Sequence, residues 1–267
     1  MTENVMCEER LSEARLRLAL GVDGEHLSIY AYQTLDSTNQ RAKLLAMEMR
    51  GDDPVLIVAE SQTSGRGRMG RSFYSPQGTG IYFSVLYRPQ ASLHAAVSVT
   101  CAASVAVMRA IRKLTGVQTQ IKWVNDLYWN GKKVCGILTE AVTSGGGSYV
   151  IVGIGVNLST DSFPSELTDK AGSLGCDTIS RADWIAAIYR ELIGFLRDPQ
   201  DHSWLQDYRA CSCVIGKRIT WVTNDQSFEG TAVGIDAHGG LQVRLPDGEH
   251  RVLRTGEISI FVTPEQR

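Results

Sequence analysis

The stretch from residue 121 to residue 158 most constrains the fold, because strand-like runs follow one another there without a helical run between them. The predicted strands are 121–124, the hairpin 127–134, 137–142 and 149–158. Within the hairpin, Asn130-Gly131 is typical of a type I′ turn. Strands joined by turns this short pair antiparallel, and we therefore predict a mixed or antiparallel sheet at the centre of the chain.

Helical runs flank these strands. Apolar spacing predicts helices at 7–20, 40–50, 93–114, 180–197 and about 200–210, and further strands at 55–59 and 81–87. Ser37 or Thr38 is the expected N-cap of the second helix. The third helix ends in basic residues followed by Gly116, as the helix dipole and the C-cap preference favour. The prediction is an α+β fold with helices packed on the central sheet.

The pattern changes from Lys217 onward to short alternating strands separated by polar turns. The predicted strands are 218–222, 230–235, 241–245 and 251–253, with turns at 223–225, 238–240 and 246–248. Such a series of short strands is typical of a small β-barrel. We therefore predict two domains, residues 1–213 and residues 214–267.

Composition argues against several classes of protein. The net charge of −2 gives no general reason to expect nucleic-acid binding, and no apolar run is long enough to span a membrane. The first residues lack the basic and apolar regions of a secretory signal. The six cysteines are scattered, and Cys211-Ser212-Cys213 has no matching histidine or cysteine set. We expect a cytoplasmic chain with reduced thiols and no metal site built from protein ligands.

A run of glycines and arginines, the arginine loop (residues 62–71), follows the first apolar strand. Three arginines alternate there with three glycines, and no acidic residue occurs between Glu60 and Asp126. Glycine lets the backbone approach a ligand closely, and arginine is a permanent forked cation suited to carboxylate and phosphate. The loop lacks the spacing of a P-loop. Taken alone, it is more typical of a solvated surface turn, so its companion motifs decide its meaning.

Four segments carry a resemblance to a known family. They are Ser37-Thr38-Asn39, the arginine loop Gln62 to Arg71, Lys122-Trp123-Val124-Asn125-Asp126-Leu127 with Lys132-Lys133-Val134-Cys135-Gly136, and Gly153-Ile154-Gly155-Val156-Asn157. In this order and spacing they resemble the biotin–protein ligases, over residues of about 30 to 160. The resemblance implies a class II synthetase-like catalytic domain, and the C-terminal barrel is similar to the SH3-like domain of that family.

The family's chemistry is implied with the fold. Biotin's carboxylate attacks the α-phosphate of ATP, with Mg²⁺, to give biotinyl-AMP and pyrophosphate. A lysine of a biotin carboxyl carrier protein, part of a biotin carboxylase, then attacks this intermediate and releases AMP. The implied partners exclude DNA and membranes and include a possible homodimer. The nucleophile belongs to the partner, so this chain needs no catalytic triad.

Site residues are also implied by the resemblance. Those for biotin are Ser37, Thr38, Asn39, Gln62, Gly65, Arg66, Gly67, Arg68, Lys133 and Gly136. Those for the nucleotide are Arg68, Arg71, Phe73, Asn125 and Asn157, and the catalytic residues are Lys133, Arg68 and Asp126. Lys133 would hold the biotin carboxylate and the α-phosphate as they meet. Asp126 would orient the carrier lysine and accept its proton.

The chain departs from the family pattern at some positions. Val124 stands where the family often has proline, and Phe73-Tyr74 where it often has Trp-Phe. Some family members carry a winged helix-turn-helix at the N-terminus. Only about thirty residues precede Ser37, which is too few for that module, so we expect a ligase without DNA-binding function.

Two alternative functions compete with this one. The first is a lipoate ligase or octanoyl transferase, which acts on the same type of carrier; the arginine loop and the Lys122-Trp123 segment favour biotin over lipoate. The second is a biotin sensor without enzymatic activity. A sensor would need a DNA-binding element or a damaged site, whereas Arg66, Arg68 and Lys133 are all present.

Overall fold

The computed structural model describes residues 10–49, 51–89, 96–144, 147–198, 200–223 and 225–261. Its helices are α1 (Glu13–Leu20), α2 (Thr38–Glu48), α3 (Ala96–Thr115), α4 (Arg181–Arg197) and α5 (Trp204–Cys211). Its strands are β1 (Ser28–Leu35), β2 (Val55–Gln62), β3 (Gly80–Tyr87), β4 (Gln120–Lys122), β5 (Asp126–Trp129), β6 (Lys132–Ser144), β7 (Gly147–Asn157), β8 (Arg218–Thr223), β9 (Gln226–Ile235), β10 (Leu241–Arg244), β11 (His250–Leu253) and β12 (Ile258–Ile260). None of these helices combines the length and the apolar character that crossing a bilayer requires.

Seven strands form the central sheet, in the order β1-β2-β3-β7-β6-β5-β4. The β1–β2 pair is parallel and every other neighbouring pair is antiparallel, which confirms the predicted mixed sheet. Asn130 and Gly131 have φ values of 48° and 74°, both positive as a type I′ turn requires. Strand β1 was missed, because its mixed exposure gives no clear alternation of polar and apolar residues.

Two helices begin later than predicted. Helix α1 begins at Glu13, where the Ser12 hydroxyl caps it, and α5 begins at Trp204. Before α5 the Asp201 carboxylate accepts the Ser203 amide at 2.7 Å, and such a local turn competes with helix. The predicted starts at 7–9 and 93–95 lie outside the described residues.

Helices cover both faces of the central sheet. Successive residues of β2 point to opposite faces, so Leu56 joins the apolar cluster that contains α3 and α4, while Ile57 joins the cluster beneath α2. Strand β3 is buried along its whole length. A strand covered on both faces needs no polar side, which explains why both strands are continuous apolar runs.

The C-terminal strands form a second, antiparallel sheet in the order β11-β10-β9-β8-β12. Four of these strands match the predicted series of short strands, whereas β12 was not predicted. Strands β11 and β12 lie at opposite edges and do not pair within the described part of the chain, so closure into a barrel stays a prediction. The sheet shares one apolar cluster with the central domain. Trp123 Nε1 donates to Gly239 O at 2.8 Å. This hydrogen bond fixes the β9–β10 turn against the central domain.

Glu60 joins three segments of the fold around the central sheet. Its side chain is 2% exposed, accepts the Leu11 amide at 2.5 Å and pairs with Arg181 at the start of α4. Strand β2, α4 and the segment before α1 therefore meet at one buried carboxylate. A buried ion pair adds little over apolar packing, but removal of one partner leaves an uncompensated buried charge.

We expect Glu60→Ala to lower the free energy of unfolding by about 3–5 kcal/mol, because Arg181 loses its buried carboxylate. The control is Glu13→Ala, since Arg17 and Glu13 form an ion pair on the surface at 43% and 55% exposure, where about 1 kcal/mol or less is lost. Denaturant unfolding followed by circular dichroism measures both variants. Similar losses in the two would contradict the role given to Glu60.

Candidate functional site

One cavity lies between the N-terminus of α2, the arginine loop, strands β5 to β7 and the start of β12. Its empty volume is about 910 Å³, including the space open to solvent. The predicted site residues that line it are Ser37, Thr38, Asn39, Gln62, Arg66, Gly67, Arg68, Arg71, Phe73, Asn125, Asp126, Lys133 and Gly136. Residues from four separate sequence segments therefore meet at a single cavity.

Gly65 and Asn157 are predicted site residues that do not line the cavity. Gly65 packs inside the loop, where a Cβ would overlap the Phe73 carbonyl and lie 2.8 Å from Ser75 Oγ. Asn157 is buried and its Nδ2 donates to Gly172 O at 2.9 Å, whereas its Oδ1 has no hydrogen-bond partner. The glycine is explained by packing, and the nucleotide contact of Asn157 stays a prediction.

Several lining residues were not predicted. They are Met69, Ser72, Lys122, Trp123, Ile137, Leu138, Gly153, Ile154, Gly155, Glu257 and Ile258. Gly153 and Gly155 could have been found, since they alternate on one strand of a motif already recognised. Glu257 and Ile258 carry no sequence signal, because only the tertiary fold brings the start of β12 to the cavity.

Backbone contacts close the arginine loop on itself. The Gly67 amide donates to Arg71 O at 2.7 Å, and the Phe73 amide donates to Gly65 O at 2.8 Å. These bonds form a narrow turn in which Met69 has a φ of 53°. The loop therefore holds its arginines in a compact turn beside the cavity.

Two arginines of the loop reach the C-terminal sheet. Arg68 donates to Asn125 Oδ1 at 3.2 Å and to Gly256 O at 3.0 Å. Arg71 forms an ion pair with Glu257, with nitrogen–oxygen distances of 2.5 and 2.6 Å. The segment before β12 thus lies on the other side of the loop and holds it over the cavity.

Glycines form the floor of the cavity beneath Phe73. A Cβ on Gly136 would lie 3.1 Å from the Phe73 ring, and one on Gly155 would overlap that ring. The ring also meets Tyr82 edge to face, with centroids 6.4 Å apart. Glycine at 155 thus lets an aromatic ring lie against strand β7.

A β-bulge turns Lys133 toward the cavity. Tyr128 lies opposite Lys133 rather than Val134, so Val134 is the extra residue in β6. A bulge shifts the alternation of side chains by one. Lys133 therefore faces the cavity together with Gly136, while Val134 and Cys135 are buried.

Lys133 and Asp126 form an ion pair in the cavity wall. The Nζ–Oδ1 distance is 2.6 Å, and the side chains are 31% and 21% exposed. Asp126 lies at the start of β5 and Lys133 near the start of the neighbouring strand β6, and the structure brings their charges into direct contact. The pair gives the cavity a cation whose position is fixed by a neighbouring strand.

Other titratable groups near the cavity are poor nucleophiles. Burial raises the pKa of the Cys135 thiol, and it raises the pKa of the Tyr128 hydroxyl to about 12, with the Asp126 charge adding to the effect. Both groups stay protonated at neutral pH. No histidine is among the described residues that line the cavity. What the cavity does offer to a ligand is positive charge, from Arg66, Arg68 and Lys133, which suits the binding of anions.

We expect Gly155→Ala to destabilise the protein by about 1–3 kcal/mol, because the added methyl displaces the Phe73 ring from a filled site. Gly194→Ala is the matched control, since this glycine lies in α4 with nothing near its Cβ position, and alanine is favoured there by about 1 kcal/mol. Thermal and denaturant unfolding measure both. A neutral Gly155→Ala would contradict the close packing of Phe73.

Comparison with protein families agrees with this arrangement. Residues 30–157 match the biotin/lipoate A/B protein ligase family. Residues 214–260 match the biotin protein ligase C-terminal domain. The first match includes every predicted site residue, and the second includes the segment that contacts Arg68 and Arg71.

Individual relatives extend over both parts. The chain is 35% identical to the bifunctional ligase/repressor BirA of Bacillus subtilis over 91% of this chain and 77% of that protein. It is 32% identical to the biotin–[acetyl-CoA-carboxylase] ligase of Mycobacterium tuberculosis over 97% of this chain and 98% of that protein. It is also similar to the biotin protein ligase from Aquifex aeolicus solved with biotin and ATP, with a TM-score of 0.74 and 26% sequence identity. The match covers 88% of this chain and 99% of that chain. On this evidence the chain belongs to the biotin/lipoate A/B protein ligase family, as a member related to the biotin–protein ligases.

Proposed function

We infer that this chain is a biotin–protein ligase, which activates biotin with ATP to biotinyl-AMP and transfers the biotin to a lysine of a biotin carboxyl carrier protein. The observation that carries this inference is the cavity itself. It combines a glycine floor, the arginine loop and Lys133 in a chain whose relatives are biotin–protein ligases. A carboxylate and a triphosphate are both anions, and they need cations that align them.

In the first half-reaction a carboxylate oxygen of biotin attacks the α-phosphorus of ATP. The bond from that phosphorus to the bridging oxygen breaks, and pyrophosphate leaves with the electron pair. We assign Lys133, Arg66 and Arg68 to the negative charge that concentrates between the two reactants. Arg71, Phe73 and Asn125 are assigned to the nucleotide, with Phe73 as a surface for stacking.

Mg²⁺ enters as part of the ATP substrate in this proposal. The described residues contain no group of three histidine, cysteine, aspartate or glutamate side chains placed to hold a metal. This fits an ion that is carried mainly by phosphate oxygens and water, since Mg²⁺ often binds through one or two carboxylates plus substrate phosphates. Asp126 and Glu257 are the carboxylates that line the cavity.

In the second half-reaction the carrier lysine attacks the acyl carbon of biotinyl-AMP. An amide bond forms, the bond to the phosphate oxygen breaks, and AMP leaves. The amine must lose a proton, and we assign Asp126 to orient the amine and accept that proton.

Finer features of the molecule belong to the same proposal. The match of residues 214–260 to the family's C-terminal domain supports a domain boundary at 213/214 and an SH3-like closure of the second sheet. A cytoplasmic location, a homodimer and the absence of DNA binding are further parts of it. Gel filtration and a DNA-binding assay on the purified protein test the last two.

The test of the function is a transfer assay with purified protein, biotin, ATP, Mg²⁺ and a biotin carboxyl carrier domain. We expect biotin on the carrier lysine, with release of AMP and pyrophosphate. Lipoate is the competing substrate, since the matched family includes lipoate ligases. Transfer of lipoate in preference to biotin, or binding of biotin without turnover, would overturn the assignment.

We expect Lys133→Ala to slow adenylate formation, because about 2–4 kcal/mol of transition-state stabilisation is lost. The affinity for biotin should change far less. The control is Lys132→Ala, because the neighbouring lysine points away and donates to Thr168 O at 3.0 Å. Pyrophosphate release and biotin affinity are measured separately. Near-normal pyrophosphate release from Lys133→Ala would remove this residue from the catalytic set.

We expect Asp126→Asn to slow transfer from preformed biotinyl-AMP much more than adenylate formation, because the asparagine oxygen can still accept a hydrogen bond from Lys133. The carrier amine has an intrinsic pKa near 10.4 and arrives mostly protonated, so the defect should shrink as pH rises and free amine becomes available. The two half-reactions are measured separately between pH 7 and pH 9.5. Equal damage to both, without rescue at high pH, would instead indicate that Asp126 acts by holding Lys133 in place.

A further inference from the structure

A row of polar side chains leads from the protein surface to the cavity beneath α2. Lys43 pairs with Glu140 at 2.6 Å, and Glu140 accepts from Asn39 Nδ2 at 2.9 Å. Asn39 Oδ1 lies 2.6 Å from Ser84 Oγ, which lies 2.8 Å from Thr38 Oγ1. Thr38 lines the cavity. Each group in the row is a hydrogen-bond donor, an acceptor or a hydroxyl that can act as both. The direction of each hydrogen bond therefore follows from the groups on its two sides.

Glu140 fixes the orientation of the Asn39 amide. An ionised carboxylate only accepts hydrogen bonds, so the nitrogen of the amide must face it. The backbone carbonyl of Leu138 accepts from the same nitrogen at 3.2 Å. Both amide hydrogens are thereby used, and the amide oxygen must point at Ser84.

Ser84 has a single proton and no access to water, since it is fully buried. The Asn39 oxygen can only accept, so the 2.6 Å contact uses the Ser84 proton. The 2.8 Å contact between Ser84 and Thr38 therefore uses the Thr38 proton. In this arrangement Thr38 donates to Ser84 and has no proton left for any other partner.

The remaining neighbours of Thr38 agree with this order. Gln62 Oε1 accepts the Thr38 backbone amide at 2.9 Å, and Gln62 Nε2 donates to Ser75 Oγ at 2.9 Å. The contact between Thr38 Oγ1 and Gln62 Oε1 is the longest of the set, at 3.3 Å. Thr38 Oγ1 could donate to Gln62 Oε1, but 3.3 Å is longer than an ordinary O–H···O hydrogen bond, so the 2.8 Å contact with Ser84 competes better for the Thr38 proton.

The backbone makes room for this row. Gly153 lies against the Asn39 amide, and a Cβ at that position would overlap Asn39 Oδ1. Asn39 is itself 3% exposed, and its oxygen and nitrogen are already bonded to neighbouring groups. Asn39 is therefore a positioning residue, although it lines the cavity.

We propose that Glu140, Asn39 and Ser84 form a proton-ordering relay that fixes Thr38 Oγ1 as a hydrogen-bond acceptor toward the cavity. A ligand must then present an N–H group at this position. The inference rests on the proposed function, in which the ligand is biotin and its ureido ring supplies the N–H. The specificity for a cyclic urea is thus set by residues that do not touch it.

The test compares biotin with its two cyclic-carbamate analogues, each of which has one ureido N–H replaced by a ring oxygen. The wild-type protein should bind one of the two analogues about 100-fold or more weakly than biotin, because an oxygen then faces the Thr38 acceptor. In Ser84→Ala the Thr38 proton is free to turn toward the ligand. The penalty against that same analogue should fall about tenfold, while Ser148→Ala, an exposed serine on β7, should leave it unchanged.

A second set of variants tests the far end of the relay. Glu140→Ala should relax discrimination less than Ser84→Ala does, because the Leu138 carbonyl still accepts from the Asn39 nitrogen and opposes rotation of the amide. Glu140→Gln should restore it in part, since the glutamine oxygen can still accept from Asn39. These two variants test the relay even if Ser84→Ala folds poorly. Calorimetry measures the affinity of each variant for biotin and for the two analogues.

The outcomes separate the relay from the function. A wild-type protein that binds no biotin refutes the proposed function. A wild-type protein that binds biotin but accepts both analogues equally refutes the relay alone. Loss of affinity for biotin and for the analogues by the same factor in Ser84→Ala would also refute it, because that result indicates a purely structural role for Ser84.

Discussion

The site depends on the contacts that hold the arginine loop against the C-terminal segment before β12. Several cations close together repel one another, and a glycine-rich turn has high conformational entropy when free. Arg68 and Arg71 offset both costs by binding Gly256 and Glu257, which lie directly before β12 of the second sheet. The second sheet is itself anchored to the first through Trp123 and a shared apolar cluster. The geometry of the loop therefore requires both parts of the chain.

Around this loop, the backbone and the side chains contribute to the cavity in different ways. Glycines on β6 and β7 supply a floor with room for Phe73, and a bulge turns Lys133 away from the core toward the cavity. The polar residues beneath α2 are satisfied mainly by one another, so burial there costs little. Lys133 and Glu140 both lie on β6, so the cation of the cavity wall and the polar row beneath α2 rest on one rigid sheet.

The sequence contained much of this fold, because local patterns encode it. Continuous apolar runs marked the buried strands, and Asn130-Gly131 marked the hairpin. Strand β1 and the late start of α5 were missed, since an edge strand lacks alternation and a carboxylate-capped turn replaces the predicted first turn of helix. The motif residues mostly reached one cavity. The contribution of Glu257 could not be predicted, because it depends on how two sheets pack.

The two arginine contacts differ in strength, and this difference matters when ligand arrives. Arg71 and Glu257 are 67% and 43% exposed, and an ion pair in that setting contributes about 1 kcal/mol or less. A phosphate can therefore take Arg71 from Glu257 at small cost. Arg68 is less exposed and donates hydrogen bonds to two groups, Asn125 and a backbone carbonyl. Because neither group is a charged carboxylate, an incoming anion takes no ion pair away from Arg68, and the residue keeps its place. The loop thus combines one arginine that is easily exchanged with one that preserves its closed shape, which suits a site that must bind a triphosphate and then retain a reactive adenylate.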